Sequence, residues 1–185
     1  GGYDDKTGYG ATWVFTRFGS TWTQQGNKLI GSGSIGTVIQ QGRSVALSAD
    51  GNTLAIGGSN DNGGVGAAWI FIRSGSTWAQ QGNKLIGSGN VGASNQSYTI
   101  ALSADGNTLV SGGFTDNGNS GAVWVFTRSG TTWTQQGPKL TGSGNIGAAR
   151  QAVSVAISAD GNTIASGGFA DNGSIGAAWI FTRSG

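Results

Sequence analysis

The 185-residue chain has no cysteine, no methionine, no histidine and no glutamate, and its one proline is Pro138. Without cysteine there is neither a disulfide nor a thiolate metal site. Without cysteine and histidine the commonest nucleophile and base pairs of enzyme catalysis are missing too. Charge is equally scarce: ten lysines and arginines against eight aspartates leave a net charge of +2. Lys28, Lys84 and Lys139 are far apart in the sequence, as are Arg17, Arg73, Arg128 and Arg183. No basic cluster of the kind that grips a phosphate backbone exists, so no nucleic-acid partner is expected. The longest apolar run, residues 67–72, is far shorter than the ~20 residues of a spanning helix, and no membrane insertion is expected. A chain that opens Gly1-Gly2 and holds no methionine is expected to be a processed or partial product, a window on a longer protein or part of an assembly.

What is abundant is glycine, 37 residues, and it is abundant periodically. Trp13, Trp69, Trp124 and Trp179 are 56, 55 and 55 residues apart, and the Asp-Gly pairs at Asp50, Asp105 and Asp160 are 55 apart. A fixed period of this size marks a repeat architecture. Within one period, residues 44–48 form a short β-type run and Asp50-Gly51 a hairpin turn, because glycine takes positive φ at little cost. Residues 53–57 return, residues 67–73 make a third strand and residues 77–81 a fourth. No segment has a helical apolar period, and glycine is too dense for long helices.

The third strand is apolar on both faces, with Ala67, Trp69 and Phe71 on one side and Ala68, Ile70 and Ile72 on the other. Such a sheet must be covered twice, and the neighbouring repeat is the expected cover. Small side chains fill the first two strands, large ones the third and fourth. That gradient makes a wedge, and wedges stacked about an axis make a β-propeller. Burying one tryptophan removes about 200 Å² from water, roughly 5 kcal/mol as an upper bound, so contacts between units are expected to dominate stability. The expected fold is therefore all-β: tandem four-stranded antiparallel blades, about three and a third repeats, in a partial ring. The divisions fall at residues 1–42 (outer strands of one blade plus a loop), 43–97, 98–152 and 153–185 (a partial blade).

Residues 44–58, Ser-Val-Ala-Leu-Ser-Ala-Asp-Gly-Asn-Thr-Leu-Ala-Ile-Gly-Gly, resemble the first two strands of tryptophan–aspartate repeat propellers. The continuation Asp61-Asn62-Gly63 through residues 66–71 resembles the FG-GAP repeats of integrin-α-type propellers. The resemblance implies the propeller fold and, for FG-GAP blades, calcium in a loop of several alternating acidic residues. The matching turn here, residues 48–52, has a single aspartate, so neither a metal nor a cofactor is expected.

The candidate ligand-binding residues are the loop pairs Asp61 and Asn62, Asp116 and Asn117, and Asp171 and Asn172, which the repeat places on one face. The same residues also suit a purely local part, because Asp and Asn form turns. Trp22, Trp78 and Trp133 read as packing between blades or as stacking platforms for sugars. Gly31-Ser32-Gly33 and Gly87-Ser88-Gly89 lack the helix and lysine of a phosphate loop. No catalytic residue stands out. These readings converge on a non-catalytic extracellular or cell-surface scaffold for binding and adhesion, with carbohydrate or protein as ligand and other blades or copies of itself as partners. The alternatives are a self-assembling fibre, sheath or surface-layer protein, and the scaffold part of a larger enzyme.

Overall fold

The computed structural model describes residues 1–184. It contains four antiparallel sheets in chain order. The first holds β1 (Phe15–Phe18) and β2 (Thr21–Gln24). The second holds β3 (Gln41–Leu47), β4 (Thr53–Gly58), β5 (Ala67–Ser74) and β6 (Thr77–Gln80). The third holds β7 (Thr99–Leu102), β8 (Thr108–Gly113), β9 (Ala122–Ser129) and β10 (Thr132–Gln135). The fourth holds β11 (Ser154–Ile157), β12 (Thr163–Gly168) and β13 (Ala177–Thr182). In each sheet the strands pair in sequence order, an up-and-down meander joined by tight turns.

The strands cover both faces as their two-sided apolar pattern requires. Trp69, Phe71, Leu54 and Ile56 pack on the first unit through Val14 and Ile39. The opposite face of the same sheet, Ala55, Ala68 and Ile70, packs on Ile100, Leu109, Trp124 and Phe126 of the next. Val110, Val123 and Val125 repeat the arrangement against Ile164. All six residues of β4 and of β8 are buried. The inner strands β3, β7 and β11 touch one another in turn, and the small residues the sequence puts there, such as Ala46, Ala101 and Ala156, let them converge.

The sheets are also tied through their turns. Ala49 N–H donates to Ala104 O (2.9 Å), and Ala104 N–H donates to Ala159 O (3.0 Å). At the opposite end the links between second and third strands contain four short turns, α1 (Asp5–Gly8), α2 (Asp61–Gly64), α3 (Asp116–Asn119) and α4 (Asp171–Ser174). None is a regular helix, since each has two successive residues in the left-handed region, Asn62 and Gly63 in α2. In α2, α3 and α4 that is what an Asp-Asn-Gly sequence favours, whereas in α1 the left-handed pair is Lys6 and Thr7.

Candidate functional site

The short turns put the candidate aspartates inside the protein. Asp61 and Asp116 are fully buried and Asp171 nearly so. Asp61 Oδ1 accepts the Ile35 N–H at 2.8 Å, and its Oδ2 pairs with Lys84. Asp116 does the same with Val91 N–H, at 2.8 Å, and Lys139. Asp171 accepts Ile146 N–H at 2.7 Å. Each carboxylate thus clamps the long loop arriving from the preceding sheet, and the first two also hold their own outer strand through the lysine. Asn62, Asn117 and Asn172 lie beside them, exposed, in left-handed conformation.

The Gly-Ser-Gly stretches serve the tryptophans. Trp69 Nε1–H donates to Ser32 O at 2.8 Å, and Trp124 to Ser88 O at the same distance. A Cβ on Gly31 would lie 2.1 Å from the Trp69 ring, and one on Gly87 2.0 Å from that of Trp124, so the indole rests directly on the backbone. Trp78 and Trp133 are half-buried and donate to the preceding sheet, to Gln25 (2.9 Å) and Gln81 (3.0 Å), whereas Trp22 is 64 % exposed.

The repeats differ most where the chain enters each inner strand, at the same end as these turns. Arg43 corresponds to Tyr98 and Val153, Gln40 to Asn95 and Arg150, and Tyr3 to Ser59, Phe114 and Phe169. A bulge between Gln41 and Ser44 breaks the β3–β4 register and carries Arg43 outward. Its guanidinium lies 4.9 Å from the Tyr3 ring and 4.3 Å from the Tyr98 ring, and it donates to Tyr98 Oη. Tyr98 meets Phe114 edge-on, with centroids 4.5 Å apart. On the fourth sheet Arg150 stands 5.5 Å over Phe169. Among the described residues neither arginine has an ion-pair partner, whereas Asp5, Asp61 and Asp116 are all taken by lysines. Two uncommitted guanidiniums bedded on aromatic rings make this end attractive to an anion. The divergence of residues 35–41, 91–97 and 146–152 is visible in the sequence, but nothing in it singles out Tyr3, Arg43 and Tyr98 beside those loops. Among the described residues no group of three metal-ligating side chains occurs, and no helix is long and apolar enough to cross a membrane.

No family model and no curated protein matches the sequence. Solved structures do match. A protein of Bacteroides uniformis assigned by name to the 6-phosphogluconolactonases aligns with a TM-score of 0.67 at 13 % identity, over 97 % of this chain and 46 % of that one. The fold is that of a β-propeller segment. TolB of Acinetobacter baumannii aligns with a TM-score of 0.47 at 17 % identity, over 88 % of this chain and 32 % of that one. A periplasmic gluconolactonase of Pseudomonas aeruginosa aligns with a TM-score of 0.48 at 16 % identity, over 92 % and 45 %. The chain spans less than half the length of each.

The propeller expectation therefore stands, while FG-GAP and tryptophan–aspartate repeats remain resemblances of short stretches. The expectation of a non-catalytic adhesion scaffold, and with it that of a fibre or surface-layer protein, is corrected. The structure sharing this fold over nearly the whole chain bears an enzyme's name. The absence of histidine and cysteine does not by itself exclude catalysis. Opening a lactone needs a polarised carbonyl and a water, and guanidinium, phenol and carboxylate groups can supply that without a protein nucleophile.

Proposed function

We propose that the chain is a segment of a β-propeller hydrolase that opens a sugar lactone bearing an anionic group, with the substrate held at the aromatic–arginine end of the inner strands. The observation that carries this reading is Arg43, bedded between Tyr3 and Tyr98 without a counter-ion among the described residues. The lactonase name of the Bacteroides uniformis structure supports the reaction class. In the reaction, water adds to the ring carbonyl carbon and the ring C–O bond breaks. The acyl carbon becomes a carboxylate and the former ring oxygen takes a proton. Arg43 and Arg150 hold the anionic group. The Tyr98 hydroxyl, which accepts from Arg43, has its own proton free to donate to the oxyanion that develops on the carbonyl. The exposed amides of Asn62, Asn117 and Asn172 offer contacts to sugar hydroxyls on the same rim, and Asp61, Asp116 and Asp171 keep that rim in place. A location outside the cell or on its surface belongs to the same proposal.

The test is hydrolysis of 6-phosphoglucono-δ-lactone by the 185-residue chain, followed by proton release at constant pH. The chain should exceed the spontaneous rate. Arg43→Ala should lose about 10- to 100-fold, the range expected for one charge-assisted hydrogen bond. A rate equal to that of buffer, or one indifferent to Arg43→Ala, overturns the reading.

A further inference from the structure

Each joint between sheets contains a buried glutamine that clamps the incoming loop. Gln41 Oε1 accepts Gly31 N–H at 2.6 Å, and its Nε2 donates to Gly31 O at 2.9 Å. Gln96 does the same with Gly87, at 2.6 and 2.9 Å. The third glutamine, Gln151, is only 3 % exposed and makes half of this clamp. Its Oε1 accepts Gly142 N–H at 2.9 Å, but its Nε2 has no hydrogen-bond partner among the described residues. A buried donor left alone is costly and calls for a reason. The loop itself is seated on the fourth sheet as its predecessor is on the third. Trp179 Nε1–H donates to Ser143 O at 2.9 Å, and Asp171 accepts Ile146 N–H at 2.7 Å.

What differs is the wall on the other side of the amide. Gln151 lines a cavity of about 170 Å³ between the α3 turn and residues 141–145, with Asn117, Ser120, Thr141 and Asn145. Two of these side chains are peculiar to this unit. Tyr9, Val65 and Ile175 stand where Ser120 is, and Ile30 and Ile86 stand where Thr141 is. Both changes replace an apolar group by a hydroxyl, and both face the cavity that the unpartnered amide lines. The cavity reaches solvent through Asn117, Thr141 and Asn145, which are exposed.

We propose that this cavity binds one neutral sugar unit, with a sugar hydroxyl accepting from Gln151 Nε2. The lining named here offers amides and hydroxyls, which both donate and accept, and no charge. Sugar hydroxyls likewise both donate and accept, whereas a carboxylate or phosphate would call for a cation. The size limits the ligand to a single ring, since pockets that enclose a drug-sized molecule measure about 300–1,000 Å³. Binding here goes beyond the proposed hydrolysis: it uses the third unit's own hydroxyls, needs no anionic group and breaks no bond.

Titration of the 185-residue chain with D-glucose, followed by the NMR signals of the Gln151 side-chain amide, tests this. Glucose contains no ester bond, so the outcome is independent of whether the chain opens a lactone. The amide signals should shift and saturate, with a dissociation constant on the order of 1–10 mM. Ser120→Val combined with Thr141→Ile installs the residues of the preceding unit, so the fold is kept, and should weaken binding at least tenfold. Asn117→Gly, which suits the left-handed turn, should weaken it severalfold. Amide signals that do not move at ten times the expected dissociation constant overturn the proposal. So does a shift that the double variant leaves unchanged.

Discussion

At the scale of single residues, the turns joining the first and second strands are the chain's titrating device. The Ser48 hydroxyl, then the Asn52 amide and the Asn52 side chain, donate to the Asp50 carboxylate and hold it down at about 2 against an ordinary 3.8. Ser103 lowers Asp105 in the same way, partly opposed by burial, and Ser158 lowers Asp160. A carboxyl whose folded value lies below its unfolded one stabilises the fold fully above the unfolded value, and that contribution disappears as pH falls through the folded value. The melting temperature should therefore hold down to about pH 5 and drop between there and pH 2. Ser48→Ala should move the Asp50 midpoint up toward the ordinary carboxylate range, read by NMR titration; an unmoved midpoint would show that the hydroxyl is not the main cause. Glycine at position 87 is a packing requirement of another kind. Gly87→Ala places a methyl group 2.0 Å from the Trp124 ring, where backbone and indole both resist moving. Overpacking of this sort costs roughly 1–3 kcal/mol, measurable as a lower urea midpoint with an unchanged slope.

At the scale of elements, the unit of stability is the joint rather than the strand. In the second and third sheets a lysine just beyond the outer strand, Lys84 or Lys139, reaches a buried aspartate ahead of its own third strand, and that aspartate holds the loop from the blade before. Lys139→Met leaves the Asp116 carboxylate buried without its partner and should destabilise by about 3–5 kcal/mol. Adding Asp116→Asn should recover much of that loss, because the uncompensated charge is then gone. Equal losses in the single and double variants, by chemical denaturation, would show that the amide clamp rather than the ion pair carries the energy. The sequence marked these aspartates by their period but not their purpose. An Asp-Asn-Gly loop reads alike as a ligand rim or as a turn until it is known that a lysine 23 residues later folds back onto it.

At the scale of the whole molecule, a repeat array is held by contacts between neighbours, so its middle is more secure than its ends. The second and third sheets are covered on both faces. The first and fourth are not: Phe15 is 53 % exposed and Ile180 61 %, where their counterparts Phe71 and Ile70 are 5 % and 0 %. Amide hydrogen exchange should follow that order, slowest in β4, β5, β8 and β9 and fastest in β1, β2 and β13. Uniform protection along the chain would mean that the four sheets open as one cooperative unit.

Much of the fold was legible in the residues themselves. The 55-residue period, the Asp-Gly hairpins and the two-sided apolar strands are local or near-local signals, and they determined the all-β class, the four-strand meander and the stacking of one unit on the next. Strands expected at residues 53–57 and 67–73 are found at Thr53–Gly58 and Ala67–Ser74. The candidate site was not legible in the same way. Tyr3, Arg43 and Tyr98 are 40 and 55 residues apart, in three different units, and no local pattern says that they meet. Only the tertiary structure decided that a bulge in β3 turns Arg43 toward two rings, and that Asp61 and Asp116 each hold a loop amide and pair with a lysine. The physical reason is that strand pairing and turn chemistry act within a few residues. The environment of a guanidinium or a carboxylate is set instead by whatever the closing of the array brings beside it.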